Sequence, residues 1–317
     1  MEKFEKRVFG CAIVKAINSN YNADFSGQPR TLPDGTVYAT DKAFKYTVKN
    51  YIKDVYDKEY VLYFKRLKKE KEDFNPFDLV GAYEEKFKDS KVKSEKTEGI
   101  AKNLLSCIDV RLFGATFAPK GDSIKGKQIS IHGPVQINHG VNIWHENNIF
   151  SEQIMSPFRN PGESGSEEKN ATTLGRQSKL QEGHYVHHFS VNPQNLKDVL
   201  TMAGSDAGLS IDDISILKEA MRRGATWYDS AAKAGTENEI LIWVQLKSKS
   251  QLVLPNFTNL ISLEKDKQEG KPVFDLVKLT SELKKHKADI ENIEIYVNTL
   301  TTVLKNIPEG ALTKDLQ

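Results

Sequence analysis

Two groups of side chains near the start of this sequence have the types and the spacing to do chemistry. Residues 17–30 read INSNYNADFSGQPR, with Asn18, Asn20, Asn22, Asp24 and Arg30 and little to bury. Three readings are open for this segment. It is an ordinary surface turn, a loop whose carboxylate helps a metal activate water for phosphodiester cleavage, or a loop whose amides and guanidinium handle a polyanion. Metal catalysis needs further ligands, and the nearest acids, Asp34 and Asp41, each have a turn or helix-cap role of their own. The second group is Lys42, Lys45, Lys49 and Lys53, spaced 3, 4 and 4, which places them on one stripe of a helix. Across residues 42–71 ten Lys or Arg face four Asp or Glu, a local excess of +6 in a chain of net charge +2. Tyr46, Tyr51, Tyr56, Tyr60 and Tyr63 are interleaved with them. Cations in register on a helix can track a phosphate backbone, and aromatics can add stacking; a solvated helix face is the alternative.

A third group is weaker. His184, His187 and His188 lie close together, but on a strand His184 and His188 face one side and His187 the other, so the three cannot converge on a metal. Neither CxxC nor HExxH supports them, and GxGxxG, GxxxxGK-S/T and GxSxG are all missing from the sequence. The expectation is a binding protein with no catalytic residue, metal or cofactor.

The elements that must position these groups can be read from periodicity. RVFGCAIVKA reads as a first strand, about residues 6–17. The helix carrying the lysines starts at Thr40 and Asp41 and buries Phe44, Val48, Tyr51, Ile52 and Val55. About residues 58–103 are rich in Lys and Glu, and EEKFKDSKVKSEKTEG has almost no core residues, so it is expected to be exposed, mobile or part of an inserted helical subdomain. In NLLSCIDVRLFGATFA, Gly114 marks the stop of a short helix; KQISIHGPVQI is a strand candidate, though Gly133–Pro134 makes it a poor central one. About residues 151–183 form a second insertion, with turn formers throughout PFRNPGESGSEEKNATT. In the strand HYVHHFSV that follows, Tyr185, His187, Phe189 and Val191 share a face. LSIDDISILKEAMRRG predicts a helix with Ser210 at its cap and Gly224 just past its end. EILIWVQL is a strand, FDLVKLTSELKKHKADI a helix and NIEIYV a final strand. This order is α+β, close to a split βαβ, ferredoxin-like domain with insertions. Such a sheet buries one face under helices and leaves the other free for RNA.

Composition sets the remaining bounds. At 317 residues, 38% hydrophobic and 28% charged, the chain reads as one globular domain with long insertions. A net charge of +2 confines any polyanion site to local clusters. No apolar stretch approaches the roughly 18 residues of a membrane span, MEKFEKRVFG lacks the apolar core of a signal peptide, and Cys11 and Cys107 sit in apolar contexts as reduced thiols. The expected setting is cytoplasmic, with no membrane partner.

Four blocks then resemble a family. The strand with NSNYNADFSGQPR, then DGTVYATDKAFKYTVKNYI, IDVRLFGATFA and ISIHGPVQINHGVN are similar, in order and spacing, to the repeated backbone subunit of type I CRISPR Cascade complexes. This is the Cas-seven family of the RAMP superfamily, and the resemblance is nearest its I-B branch. Two positions depart from the pattern. Ala23 stands where the family often has Gly, and Lys45–Tyr46 where it often has Lys-Arg, so one phosphate contact is absent or comes from a neighbour such as Lys49. The resemblance implies an RRM-like palm spanning residues 1–317, a helical fingers insertion at about 58–103 and a thumb hairpin at about 151–183. It implies a non-catalytic subunit that polymerises head to tail along the guide RNA (crRNA). The guide then pairs with target DNA, and other Cascade subunits complete the antiviral complex. Lys42, Lys45, Lys49 and Lys53 are then expected at backbone phosphates, and Asn18, Asn22 and Arg30 at sugar–phosphate groups. Arg176 and Lys179 are expected to act at the thumb, with Met155 and Phe158 as the wedge against a displaced base. The competing expectations are a metal-dependent RNA endonuclease using Asp24, as in related type III subunits, and a general single-strand RNA binder working alone.

Overall fold

The computed structural model describes residues 2–121, 126–155 and 174–317. Its first strand, β1 (Val8–Ser19), is apolar on both faces and lies at the centre of the main sheet. A short β2 (Tyr38–Ala39) leads into α1 (Asp41–Val55), whose N-cap is Thr40, its hydroxyl accepting from the Ala43 amide. As the periodicity requires, α1 buries Phe44, Val48, Tyr51 and Ile52, but Val55, at its last position, is exposed.

The chain then leaves the sheet. A small hairpin, β3 (Leu67–Glu70) with β4 (Asp73–Pro76), precedes α2 (Leu79–Lys86), α3 (Thr97–Leu105) and α4 (Ile108–Phe113). A second hairpin, β5 (Gly114–Phe117) with β6 (Ile129–His132), follows. This part has its own core, in which Leu62, Tyr83, Val92, Ile100, Leu104, Val110 and Phe117 pack with Leu196 and Val199. Of the three readings for the charged stretch around residues 84–99, simple exposure is the one that fails. Val92 is fully buried there, and its amide donates to the Glu84 carboxylate. One apolar side chain and a few internal hydrogen bonds anchor a segment whose composition alone reads as solvated.

Back in the main sheet come β7 (Val135–Ile137), β8 (Gly140–Asn142), β9 (Ile149–Met155) and the long β10 (Leu174–Val191). The single strand expected over KQISIHGPVQI is instead two, β6 and β7, parted at Gly133–Pro134, where proline offers no donor. Next are α5 (Lys197–Ala203), α6 (Ile211–Trp227) and β11 (Thr236–Leu246). Ser210 and Asp213 form a reciprocal capping box at the start of α6. The helix does not stop at Gly224 but runs on to Trp227. Gly224 is instead where α6 crosses α1, since a Cβ there would come within 2.8 Å of the Thr47 carbonyl oxygen. The chain closes with β12 (Ser262–Leu263), β13 (Val273–Asp275), α7 (Val277–Lys285), β14 (Ile290–Val297), β15 (Val303–Lys305) and β16 (Leu312–Lys314).

The main sheet runs β16-β14-β11-β1-β10-β8-β2, with β7 and β9 also paired to β10. All its pairs are antiparallel except β14 with β16. Val8 lies opposite Val191 and Ser19 opposite Leu180, so the part of β10 that pairs with β1 starts at Leu180. One face, with Val14, Tyr185, Phe189 and Trp243, is covered by α1 and α6. The other, with Cys11, Ile13, Val186, Ile242 and Val244, is covered by Leu254, Phe257, Phe274, Leu279 and Leu283 from the C-terminal segment.

This second layer overturns the expectation of a free sheet face. A half-exposed strand alternates apolar and polar, whereas Ile240 to Val244 is apolar at every position. Nucleic acid therefore has no access to the centre of this sheet.

Candidate nucleic-acid interface

The opening loop is an ordered structure. The Asp24 carboxylate accepts at Oδ1 from the Ser26 amide (2.8 Å), the Ser26 hydroxyl (2.8 Å) and the Gln28 amide (3.0 Å). These bonds, the Ser26 hydroxyl foremost, hold its pKa below the ordinary range. Single bridges pair Ala23 with Pro29 and Thr31 with Val37, so the loop is a miniature hairpin. Asn22 ties it to α1: its Oδ1 accepts from the amide (2.9 Å) and hydroxyl (3.0 Å) of Thr40, the N-cap residue. Asn20 is buried and donates to the carbonyls of Gly27 (3.1 Å) and Ser178 (3.0 Å). Asn18 is exposed, with a left-handed φ of 47°. The Arg30 guanidinium lies 6.0 Å from the centroid of the Phe25 ring.

The lysine stripe divides on folding. Lys42 is exposed, and Lys45 is half-buried, 3.1 Å from Asp41 and 5.7 Å from the Phe113 ring centroid. Lys53 pairs with Asp54 and lies over the Phe64 ring. Lys49 is turned inward, where its Nζ donates to the Tyr63 carbonyl at 2.8 Å. Burial pushes its pKa down, with Asp109 pulling the other way. The expectation of one uniformly basic, solvent-facing stripe is thus corrected, because the insertion after α1 folds back against this flank. The interleaved tyrosines are also engaged. Tyr51 and Tyr56 both donate to Glu219 (2.7 and 2.6 Å), Tyr63 donates to the Thr116 carbonyl, and Tyr46 stacks on Phe64 at 4.8 Å.

The third component is an arm. β9 pairs with the first half of β10, from Ile149 opposite Leu180 out to Met155 opposite Leu174, beyond the reach of β1. All seven residues of β9 are exposed, including Ile149, Phe150, Ile154 and Met155. Met155, Gln153 and Arg176 share one face, while Phe150, Ile154 and Lys179 share the other. Lys179 is 3.3 Å from Glu152. Phe158 lies outside the described residues. At its root the arm is tied to the opening loop through Asn20 and Ser178, and Gln177 donates to the Ala231 carbonyl. The loop thus adjoins both the start of α1 and the arm root, with Lys42, Lys45 and Arg30 as cations there, while Arg176 and Lys179 stand on opposite faces of the arm.

The other motifs are structural. Asp109 is buried and accepts from the amides of Leu62 (2.9 Å) and Tyr63 (2.8 Å). Arg111 makes a two-pronged pair with Asp213 (3.1 and 2.8 Å) and reaches Glu59 and the carbonyls of Leu105 and Ser106. Gly114 ends α4 at φ 73°, where an L side chain would be strained. As expected, the histidines diverge. His184 lies between Glu239 (2.6 Å) and Glu182 (3.2 Å); burial alone would lower its pKa, but Glu239 and then Glu182 raise it. His187 stacks on Phe44 across the sheet, and burial pushes its pKa down to about 4. Among the described residues no group of three or more His, Cys, Asp and Glu could hold a metal ion, and no helix is long and apolar enough to cross a membrane.

Comparison with known proteins gives the fold a context. None of the curated proteins matches the chain. A chain of a "CRISPR RNA-guided surveillance complex, pre-nicking" is 14% identical, with a TM-score of 0.56, and the match covers 98% of this chain and 96% of that one. At that identity the likeness speaks to the fold. A chain of a "CRISPR RNA-guided surveillance complex" is 12% identical over 94% of this chain and 95% of that one, with a TM-score of 0.45, too low to carry an argument. The model of the family described as CRISPR-associated protein Cas7 matches residues 6–298, nearly the whole chain, and the chain belongs to that family.

Proposed function

We propose that this chain is a non-catalytic, guide-RNA (crRNA)-binding backbone subunit of a type I, I-B-like CRISPR surveillance complex. In this reading copies line up head to tail on the guide in the cytoplasm, beside other Cascade subunits, and present it for pairing with target DNA. The observation that carries it is the arm. A single copy leaves Ile149, Phe150, Ile154 and Met155 in water on a strand pair that projects from the body. A surface of that kind calls for a second surface, and a head-to-tail contact repeats along a filament. The full-length fold likeness and the family support the same reading.

We read β1, α1, β7 with β8, β10, α6 and β11 as an RRM-like palm, supported by the order β11-β1-β10-β8. Residues 58–103 are the fingers and the β9–β10 arm is the thumb. Since both sheet faces are covered, the RNA path follows the side formed by the loop, α1 and the arm root. Phosphates fall to Lys42, Lys45, Arg30, Arg176 and Lys179, with Lys53 and Asn18 at the margins. Lys49 and Asn22 shape that side from within. Contacts of this kind position a strand without reading it.

The test is whether the purified protein carries RNA and runs as a large particle. Lys42→Glu with Lys45→Glu should abolish RNA co-purification and leave the melting temperature within a few degrees. RNA-free monomers from the unaltered protein, or RNA retained by the double variant, would count against the proposal. Periodic Mg²⁺-dependent cuts in complementary RNA, lost in Asp24→Ala, would replace it with a nuclease.

A further inference from the structure

Phe25 is the most exposed large apolar side chain among the described residues, with a relative accessibility of 105%. It stands at the tip of the opening loop, next to the carboxylate that closes the turn. Asp24 fixes the residues on its far side through the Ser26 amide, the Ser26 hydroxyl and the Gln28 amide. The Asp24 amide also donates to the Gln28 carbonyl at 2.8 Å, and Asn20 ties Gly27 to the arm root. The ring is therefore presented by a rigid support and packed against nothing. Its charged neighbour is Arg30, whose guanidinium lies over it at 6.0 Å and whose Nε is buried without a partner among the described residues.

Protein-docking patches join several apolar anchors into one area. Here one ring stands among Ser26, Gly27 and Gln28, beside a cation. A lone rigid aromatic with an adjacent guanidinium is instead the arrangement that stacks a base and holds its phosphate. We propose that Phe25 is a base-stacking residue, receiving the face of one unpaired nucleobase per subunit from single-stranded RNA whose phosphate is held by Arg30. This rests on the RNA-binding reading above and adds to it a contact to a base. The cation stripe and the arm do not require that contact.

The experiment titrates the full-length protein with oligouridylate carrying a single 2-aminopurine at successive positions. The unaltered protein should quench a spaced subset of positions. Phe25→Ala should lose that quenching and bind about five-fold or more weakly, while Phe25→Tyr restores both. Its melting temperature should not change, since the ring buries nothing. RNA bound with the same quenching by Phe25→Ala would overturn the inference and leave the RNA-binding reading standing. Failure of the unaltered protein to bind RNA at low salt would remove both. A smaller particle with unchanged quenching would make Phe25 a contact between copies, and would also overturn it.

Discussion

At the scale of single residues, the two buried histidines of β10 show how burial and partners decide a titration. His184 and His187 are three residues apart and both fully buried, yet their pKa values move in opposite directions. His184 binds its proton more tightly folded than unfolded. Its contribution is present below about pH 6.5, the unfolded value, and is lost as pH rises through the higher folded value. His187 does the reverse: with its folded value near 4 it weakens the fold as pH falls from about 6.5. Urea unfolding from pH 4 to pH 9 should show stability highest near neutrality. His184→Gln should flatten the alkaline side and leave the acid side in place. Removing His184 altogether leaves Glu239 buried without its 2.6 Å partner, at a cost of about 3–5 kcal/mol. An alkaline limb unchanged in His184→Gln would show that the proton is not held there. The sequence left Asp24 open between a turn, a catalytic and a polyanion-binding loop, and its bonds to Ser26 and Gln28 give it a turn-closing role. The inward turn of Lys49 was not legible, because nothing in a helical spacing says what will fold against it.

Among the elements, α4 works as a bolt between the turn at residues 62–63 and α6. Asp109 holds the turn at Leu62 and Tyr63, and Arg111 reaches across to Asp213, which also caps α6. The D-V-R spacing fits this role: residues two apart on one turn of helix point to different neighbours, here the residue 62–63 turn and α6. Arg111→Met should cost about 3–5 kcal/mol by leaving Asp213 buried and unpaired. The double variant Arg111→Met with Asp213→Leu should recover much of that. Chemical denaturation of the pair, read as a double-mutant cycle, checks it; two additive losses would mean the bolt carries no coupling. The cores of the main-sheet strands and of the helices packed on them could be read from periodicity and caps. The end of α6 could not, since a Gly that reads as a stop was needed for close approach to Thr47.

For the whole molecule, the arm leaves Ile149, Phe150, Ile154 and Met155 exposed, and in the proposed function it is the contact between copies. Pairing of β1 with β10 begins at Leu180, so replacing residues 151–177 by a short Gly-Ser linker spares the sheet. That variant should melt within a few degrees of the full chain yet sediment as a single copy, with RNA affinity lost mainly through lost assembly. A large particle persisting without the arm would refute its role as the contact between copies. The sequence by itself determined the strands and helices of the main sheet, the capped helix behind the opening loop and the family. Each follows from short-range pattern, where neighbours in the chain set the periodicity, caps and turns. Only the tertiary structure decided which faces stay open. It laid a second layer over the sheet, turned Lys49 and Asn22 inward, gave the charged insertion a core, and left Phe25 and the arm in water. Exposure depends on what distant segments pack against, and that packing is a property of the assembled chain.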